Sequence, residues 1–195
     1  MDREKLKKNF ENHGFKVLFF DNKEQVRDYI KERTEGKSVG IGGSMSAEEC
    51  GLYEVLSSDR PVFWHWKSQD PDTRSKAASS DFYILSANGV SMNGELVNID
   101  GSGNRVSASL YNPHVIYIIG MNKLEPDLES AIYRARNTAS VRNAQRFGLD
   151  TPCVKGGRCY DCNSRSRICN GFVTVTRPMK GQTVELLFVD EPLGF

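Results

Sequence analysis

Four of the five cysteines crowd between positions 153 and 169, spaced Cys153-x5-Cys159-x2-Cys162-x6-Cys169. Thiolates are soft ligands and nucleophiles, so this clustering in a chain without secretory signs points to metal, cluster or redox chemistry. Zinc needs four ligands in a closed tetrahedron, which the loop supplies by count, although a zinc ribbon brings two Cys-x-x-Cys knuckles and this loop has one. An iron-sulfur cluster also takes four thiolates, but the spacing matches neither ferredoxin pattern. A redox dithiol from Cys159 and Cys162 lacks thioredoxin-like surroundings. Reduced thiols in a structured loop complete the alternatives. Cys153, Cys159, Cys162 and Cys169 are the candidate metal set, with an iron-sulfur cluster or zinc as candidate cofactor. Cys50, inside a helical stretch, reads as a small core residue.

Two glycine-rich segments carry the other chemistry. Asp100-Gly-Ser-Gly-Asn-Arg105 opens a short helical stretch, so its backbone N–H groups and the Arg105 guanidinium suit an anion. Upstream, Lys37-Ser-Val-Gly-Ile41 reads as a strand running into Gly42-Gly-Ser-Met-Ser46, with a helix over residues 47–56. Ser46 and Glu49 have capping-box spacing, which would start that helix directly behind the glycines. The loop lacks the P-loop lysine and the dinucleotide glycine spacing, and a plain tight turn is the competing interpretation. Asp100 is the candidate acid or base, ahead of Glu48 and Glu49. His13, His65 and His114 are dispersed and form no triad or zinc-hydrolase spacing; His65 and His114 read as structural.

Positioning these loops requires alternating elements. Strands are expected over residues 15–20, 37–41, 61–66, 81–87 and 114–120; helices over 23–35, capped by Asp21 or Asn22, and over 71–79. Asn93-Gly94 predicts a two-residue turn with positive φ at both positions, pairing 90–92 with 95–99. Residues 126–147 form one long helix in which Leu128, Ile132, Ala135 and Ala139 face the sheet. On that helix Arg134, Arg142 and Arg146 make a basic rail read as a solvated face. Residues 172–176 and 183–189 are expected as a closing strand pair. The fold class is therefore α/β, with a mainly parallel sheet covered on both faces and ligands beyond the carboxyl ends of its strands.

Composition excludes several classes. The 195 residues suit one domain with a core of its own. With 26 basic and 25 acidic residues, a net charge of +1 leaves no electrostatic footprint for nucleic acid. No apolar run approaches a membrane-spanning length, and the charged start Met1-Asp-Arg-Glu-Lys-Leu with no apolar signal core predicts a cytoplasmic protein.

Several ordered segments point in one direction. Val39-Gly-Ile-Gly-Gly-Ser-Met-Ser46, Ser86-Ala-Asn-Gly-Val90, Gly94-Glu-Leu-Val-Asn-Ile-Asp-Gly-Ser-Gly-Asn-Arg105 and Gly120-Met-Asn-Lys123 are the first of them. Arg136-Asn137, Thr151-Pro-Cys153, Gly157-Arg-Cys-Tyr-Asp-Cys162, Arg167-Ile-Cys-Asn170 and Glu191-Pro-Leu-Gly-Phe195 follow in order. Over nearly its whole length the chain resembles the LUD (lactate-utilisation) domain family. The resemblance implies a Rossmann-like three-layer sandwich like that of the ribose-phosphate isomerase and coenzyme A transferase group. It also implies a bacterial role in oxidising L-lactate, a 2-hydroxy acid, to pyruvate beside iron-sulfur oxidoreductase subunits. Arg136 and Asn137 join the candidate ligand set through that motif, as their groups suit a carboxylate or phosphate.

Two functions of different class follow. In the first, a small anionic metabolite binds between Gly42, Gly43, Ser44 and Ser46 on one side and Asn98, Asp100, Gly101, Gly103, Asn104 and Arg105 on the other, oriented also by Asn88. In the second, the chain is a non-catalytic assembly or electron-transfer subunit whose cysteines hold zinc or a cluster. Sugar-phosphate or acyl-coenzyme A chemistry is a lesser alternative resting on the fold group alone. Association with a second copy of the chain, as a homo-oligomer, stays open.

Overall fold

Two strands are apolar along almost their whole length, as expected where helices cover both faces of a parallel sheet. They are β7, His114–Gly120, and β10, Thr183–Val189, each buried after its first residue. The computed structural model describes residues 2–195 and sets these strands side by side in the interior of a six-stranded parallel sheet. Its other strands are β1 (Lys16–Phe20), β2 (Val39–Ile41), β3 (Val62–Trp64) and β4 (Phe82–Leu85), in the order β1-β10-β7-β4-β2-β3.

One face of this sheet is covered by α2 (Lys23–Arg33), α3 (Met45–Glu49) and α4 (Leu52–Leu56), through Val26, Ile30, Ala47, Leu52 and Leu56. The opposite face packs on α1 (Arg3–Asn12), α5 (Thr73–Ala78) and α6 (Asn104–Tyr111), through Leu6, Phe10, Ala77 and Ala108. This is the expected Rossmann-like three-layer arrangement. Against the second face lies a smaller four-stranded sheet in the order β8-β5-β6-β9, from β5 (Gly89–Ser91), β6 (Glu95–Asp100), β8 (Leu124–Glu125) and β9 (Gly171–Val175). Period-two alternation splits β6: Leu96 joins the core toward the main sheet, whereas Val97 and Ile99 pack outward on Ala131 and Ala135.

Several expectations need correction. Residues 172–176 and 183–189 do not pair with each other: β9 runs antiparallel to β6, and β10 inserts between β1 and β7. Their burial explains the separation, since β9 alternates between exposed and covered positions while β10 is buried on both faces. The β5–β6 hairpin forms, but Ser91 pairs with Glu95 around a three-residue loop in which only Gly94 has positive φ. That loop is pinned from α1, where Asn9 donates to the Met92 carbonyl and His13 bonds the Gly94 carbonyl.

The helix expected over residues 47–56 is two short helices broken at Gly51, and its cap is Ser44, whose Oγ accepts the Ala47 N–H at 3.2 Å. Ser46 and Glu49 make no capping box; Glu49 instead accepts the Gly194 N–H at 2.8 Å. The long helix is likewise interrupted. α7 (Leu128–Arg134) and α8 (Ser140–Arg146) are joined by a π-helical turn at Ala135–Ala139. Asn22, not Asp21, caps α2. Among the described residues no helix is long and apolar enough to cross a membrane.

Candidate functional site

The loops leaving the carboxyl ends of β2, β4, β7 and β10 converge on one point, where open α/β sheets bind their ligands. At that point lies Lys123, on the 3-10 turn Met121–Lys123 that follows β7. Its Nζ donates to Ser86 Oγ at 2.7 Å, just past β4, and to Ser46 Oγ at 3.0 Å, on α3 behind β2. From the segment after β10, Gly194 closes the fourth side; a Cβ there would come within 2.8 Å of Ser46 Oγ and 3.2 Å of Nζ. Gly194 also has a left-handed φ of 62°, so the position excludes a side chain twice over. Burial first, and then the neighbouring Arg134 and Arg105 charges, bring the Lys123 amine down to about 7.

Above Lys123 opens a cavity of about 260 Å³. Arg74, Arg105 and Arg146 bring positive charge to its wall beside the Lys123 amine, and Asp100 is the one acidic residue among the described residues that line it. Asp100 is occupied by its own loop. Its carboxylate accepts N–H groups of Ser102, Gly103, Arg105 and Val106 at 3.0–3.2 Å, latching the glycine turn to the start of α6. That leaves it few free lone pairs for proton transfer.

Arg105 is equally engaged. It donates to Asn98 Oδ1 at 2.7 Å, Asn88 Oδ1 at 3.0 Å and the carbonyls of Ser86 and Ile99. The side chain is a brace that ties the two glycine-rich segments together while lending its charge to the cavity. Gly42 makes room for it, since a Cβ there would meet Arg105 Cγ and the Tyr83 hydroxyl at 2.9 Å.

Of the residues expected in the ligand set, Gly43, Ser44, Asn88, Asp100, Gly101, Asn104 and Arg105 line the cavity. Gly42, Ser46, Asn98 and Gly103 stand just behind it as packing, lysine support, arginine support and helix cap. Arg136 and Asn137 do not reach it. They occupy the π-helical turn and hold the cysteine loop: Asn137 Oδ1 accepts the Cys159 N–H at 3.0 Å, and Arg136 pairs with Asp161 at 3.3 Å.

Sequence reasoning passed over Lys123, Ser86, Arg74 and Trp66. The Gly120-Met-Asn-Lys123 segment was the available signal for the lysine. Arg134 of the basic rail is buried, not solvated, and donates to the carbonyls of Asn88, Asn122 and Phe195. Arg146 stacks on Trp66, its guanidinium carbon 4.7 Å from the ring centroid, at the cavity edge. His65 also lines the cavity, burial and then Arg74 holding its imidazole below the usual range. His13 and His114 lie elsewhere, the latter packed on Phe82 at the start of β7.

The four clustered cysteines line a single small pocket with Arg136 and Arg167. Asp161 adopts a left-handed φ of 46° and turns its N–H toward Cys159 Sγ at 3.4 Å. No three His, Cys, Asp or Glu side chains among the described residues are spaced to hold one metal ion as they stand. All five cysteines are free thiols; Cys50 is a core residue whose thiol burial pushes up to about 12. Ser140 and Ile168 belong to both pockets, so the cysteine loop forms one wall of the cationic cavity.

The family model described as LUD domain matches residues 3–188. The chain is similar to the crystal structure of a DUF162 family protein from Deinococcus radiodurans, with a TM-score of 0.55 at 8% identity. The alignment covers 96% of this chain and 95% of that one, a likeness of fold. No curated protein matches.

Proposed function

This chain belongs to the LUD-domain family, associated with lactate utilisation, and on that premise we propose that it binds a small anionic metabolite in the cavity above Lys123 as a component of 2-hydroxy-acid oxidation. One observation carries the reading. Three arginines and the Lys123 amine reach a cavity in which Asp100, the one acidic residue among the described residues lining it, has its oxygens taken up by its own loop. A cavity of that polarity, partly shielded from water, stabilises a carboxylate or phosphate more than a neutral ligand. Arg105 is fixed by the carbonyls of Ser86 and Ile99, which leaves the exposed Arg74 and Arg146, the latter hydrogen-bonded only to Asn143 Oδ1 among the described residues, as the cations able to close on a ligand.

The test is ligand-induced thermal stabilisation with L-lactate, pyruvate, sugar phosphates and coenzyme A. The expected result is a concentration-dependent rise in Tm with a carboxylate, weakened about tenfold in an Arg146→Ala variant, or about 1.4 kcal/mol. No shift with any of these anions sinks the reading.

The second reading, a thiolate site serving assembly or electron transfer, is favoured by the meeting of Cys153, Cys159, Cys162 and Cys169 in one pocket. Those four thiolates would hold zinc or an iron-sulfur cluster by drawing in around it, with Arg136 and Arg167 offsetting the added negative charge. Metal and acid-labile sulfide analysis of protein purified without oxygen decides it. Iron with sulfide supports the electron-transfer form and zinc a structural clasp; absence of all three ends this reading.

A further inference from the structure

We propose that the Lys123 amine forms an imine with a 2-oxo acid held in the cationic cavity. The inference rests on the reading of that cavity as an anion site and adds a covalent step to it. Its basis is the hydrogen-bond arrangement around Nζ. Ser86 Oγ donates to the Ile118 carbonyl at 2.6 Å and Ser46 Oγ to the Leu193 carbonyl at 3.2 Å, so both hydroxyl protons are committed. Each oxygen is therefore an acceptor toward Nζ. A neutral amine has two protons to give, and two acceptors take them. The remaining tetrahedral position carries the lone pair, on a side chain that forms part of the cavity wall.

The surroundings favour the neutral amine. Its two hydrogen-bond partners are uncharged hydroxyls, and the nearby charges of Arg134 and Arg105 oppose a further cation. An amine near neutrality at physiological pH is the form that adds to carbonyls. The same cavity offers Arg74 and Arg146 to a carboxylate. A small molecule carrying a carboxylate beside an electrophilic carbonyl satisfies both, which defines the 2-oxo acids. A 2-hydroxy acid has the carboxylate without the electrophile.

The step balances without an oxidant. Nζ adds to C2, forming the C–N bond, while the carbonyl π pair moves to oxygen. That oxygen takes a proton released by the nitrogen, giving a carbinolamine. The nitrogen lone pair then expels the hydroxyl group, which leaves as water after protonation, and the C=N bond forms. Amine and oxo acid become imine and water.

The experiment is reductive trapping. The full-length protein is incubated with pyruvate, glyoxylate or 2-oxoglutarate and sodium cyanoborohydride, then analysed by intact mass and peptide mapping. The expected result is one reduced adduct, on Lys123, with at least one of these acids, formed faster at pH 8 than at pH 6 and suppressed by excess L-lactate. A folded Lys123→Arg variant, checked by its melting curve, should lose it. Thermal stabilisation by an oxo acid without an adduct on Lys123 overturns the imine and leaves the anion site standing. Modification spread over surface lysines, unchanged in Lys123→Arg, overturns it as well. If neither stabilisation nor adduct occurs, the inference and the reading beneath it fall together.

Discussion

A lysine at the carboxyl end of a central strand is the residue on which the site turns, and its burial has a cost that can be measured. The folded state holds the Lys123 amine at about 7 against an ordinary 10.5, with burial the first cause. Between those values the unfolded chain binds the extra proton, so stability rises with pH across the window; below about 7 both states are protonated and the full penalty stands. The shift corresponds to a few kcal/mol, on the order of 1.4 per pKa unit. A Lys123→Met variant should therefore be more stable than the parent at pH 6 without ligand, the difference shrinking toward pH 10. Its fold should survive, because Ser46 and Ser86 keep their carbonyl partners. Urea unfolding at pH 6, 8 and 10 checks this; parallel profiles for the two proteins would mean the amine is not buried as a strained cation.

At the scale of elements, most of what the main sheet requires is legible in the sequence. Short runs such as Val115 to Ile119 and Phe82 to Leu85 announce themselves through branched and aromatic residues between turn signals. The glycine-rich segments at 42–46 and 100–105 fall at strand ends, and both do face the cavity. The failures share one cause: local signals say where an element is, not what it packs against. Ser46 carries capping-box spacing, yet Ser44 takes the cap and Ser46 turns inward to the lysine. The Arg134 rail follows a helical repeat, but the π-helical turn at Ala135–Ala139 shifts the phase of everything after it, so rail members do not share one face. That turn sends Arg136 and Asn137 to the cysteine loop, a destination set by tertiary contact. Lys123 stands in the Gly120-Met-Asn-Lys123 segment, but nothing local to a lysine after a strand says that two serines, distant in sequence, will surround it.

Taken as a whole, the molecule segregates charge along its main sheet. The carboxyl ends of the strands carry the lysine and the cationic cavity, whereas Glu185, near the start of β10, sits almost fully buried toward the other end. Three side chains from two elements converge on Glu185: Tyr29 and Arg33 of α2 at 2.5 and 2.8 Å, and Lys16 of β1 at 3.1 Å. Burial alone would raise its carboxyl, but the hydrogen bonds from Tyr29, Lys16 and Arg33 hold it below the ordinary 4.5. The sign is opposite in chemistry to that of the lysine. A depressed carboxyl contributes stability that is fully present above about pH 4.5 and is lost as pH falls through the folded value. The whole fold should therefore gain stability in two separate steps, one below pH 4.5 from Glu185 and one from about pH 7 upward from Lys123. Replacing Glu185 with Gln should cost about 2 kcal/mol at pH 6, the scale of hydrogen bonds to a charged group. Partial exposure of Lys16 and Arg33, which water can resolvate, keeps the loss from being larger. The same change should flatten the acid limb while leaving the alkaline limb intact. Denaturant unfolding followed from pH 3 to pH 10 in the parent, Glu185→Gln and Lys123→Met reads both limbs. If Glu185→Gln leaves the acid limb unchanged, the buried carboxylate is not what secures the sheet against acid.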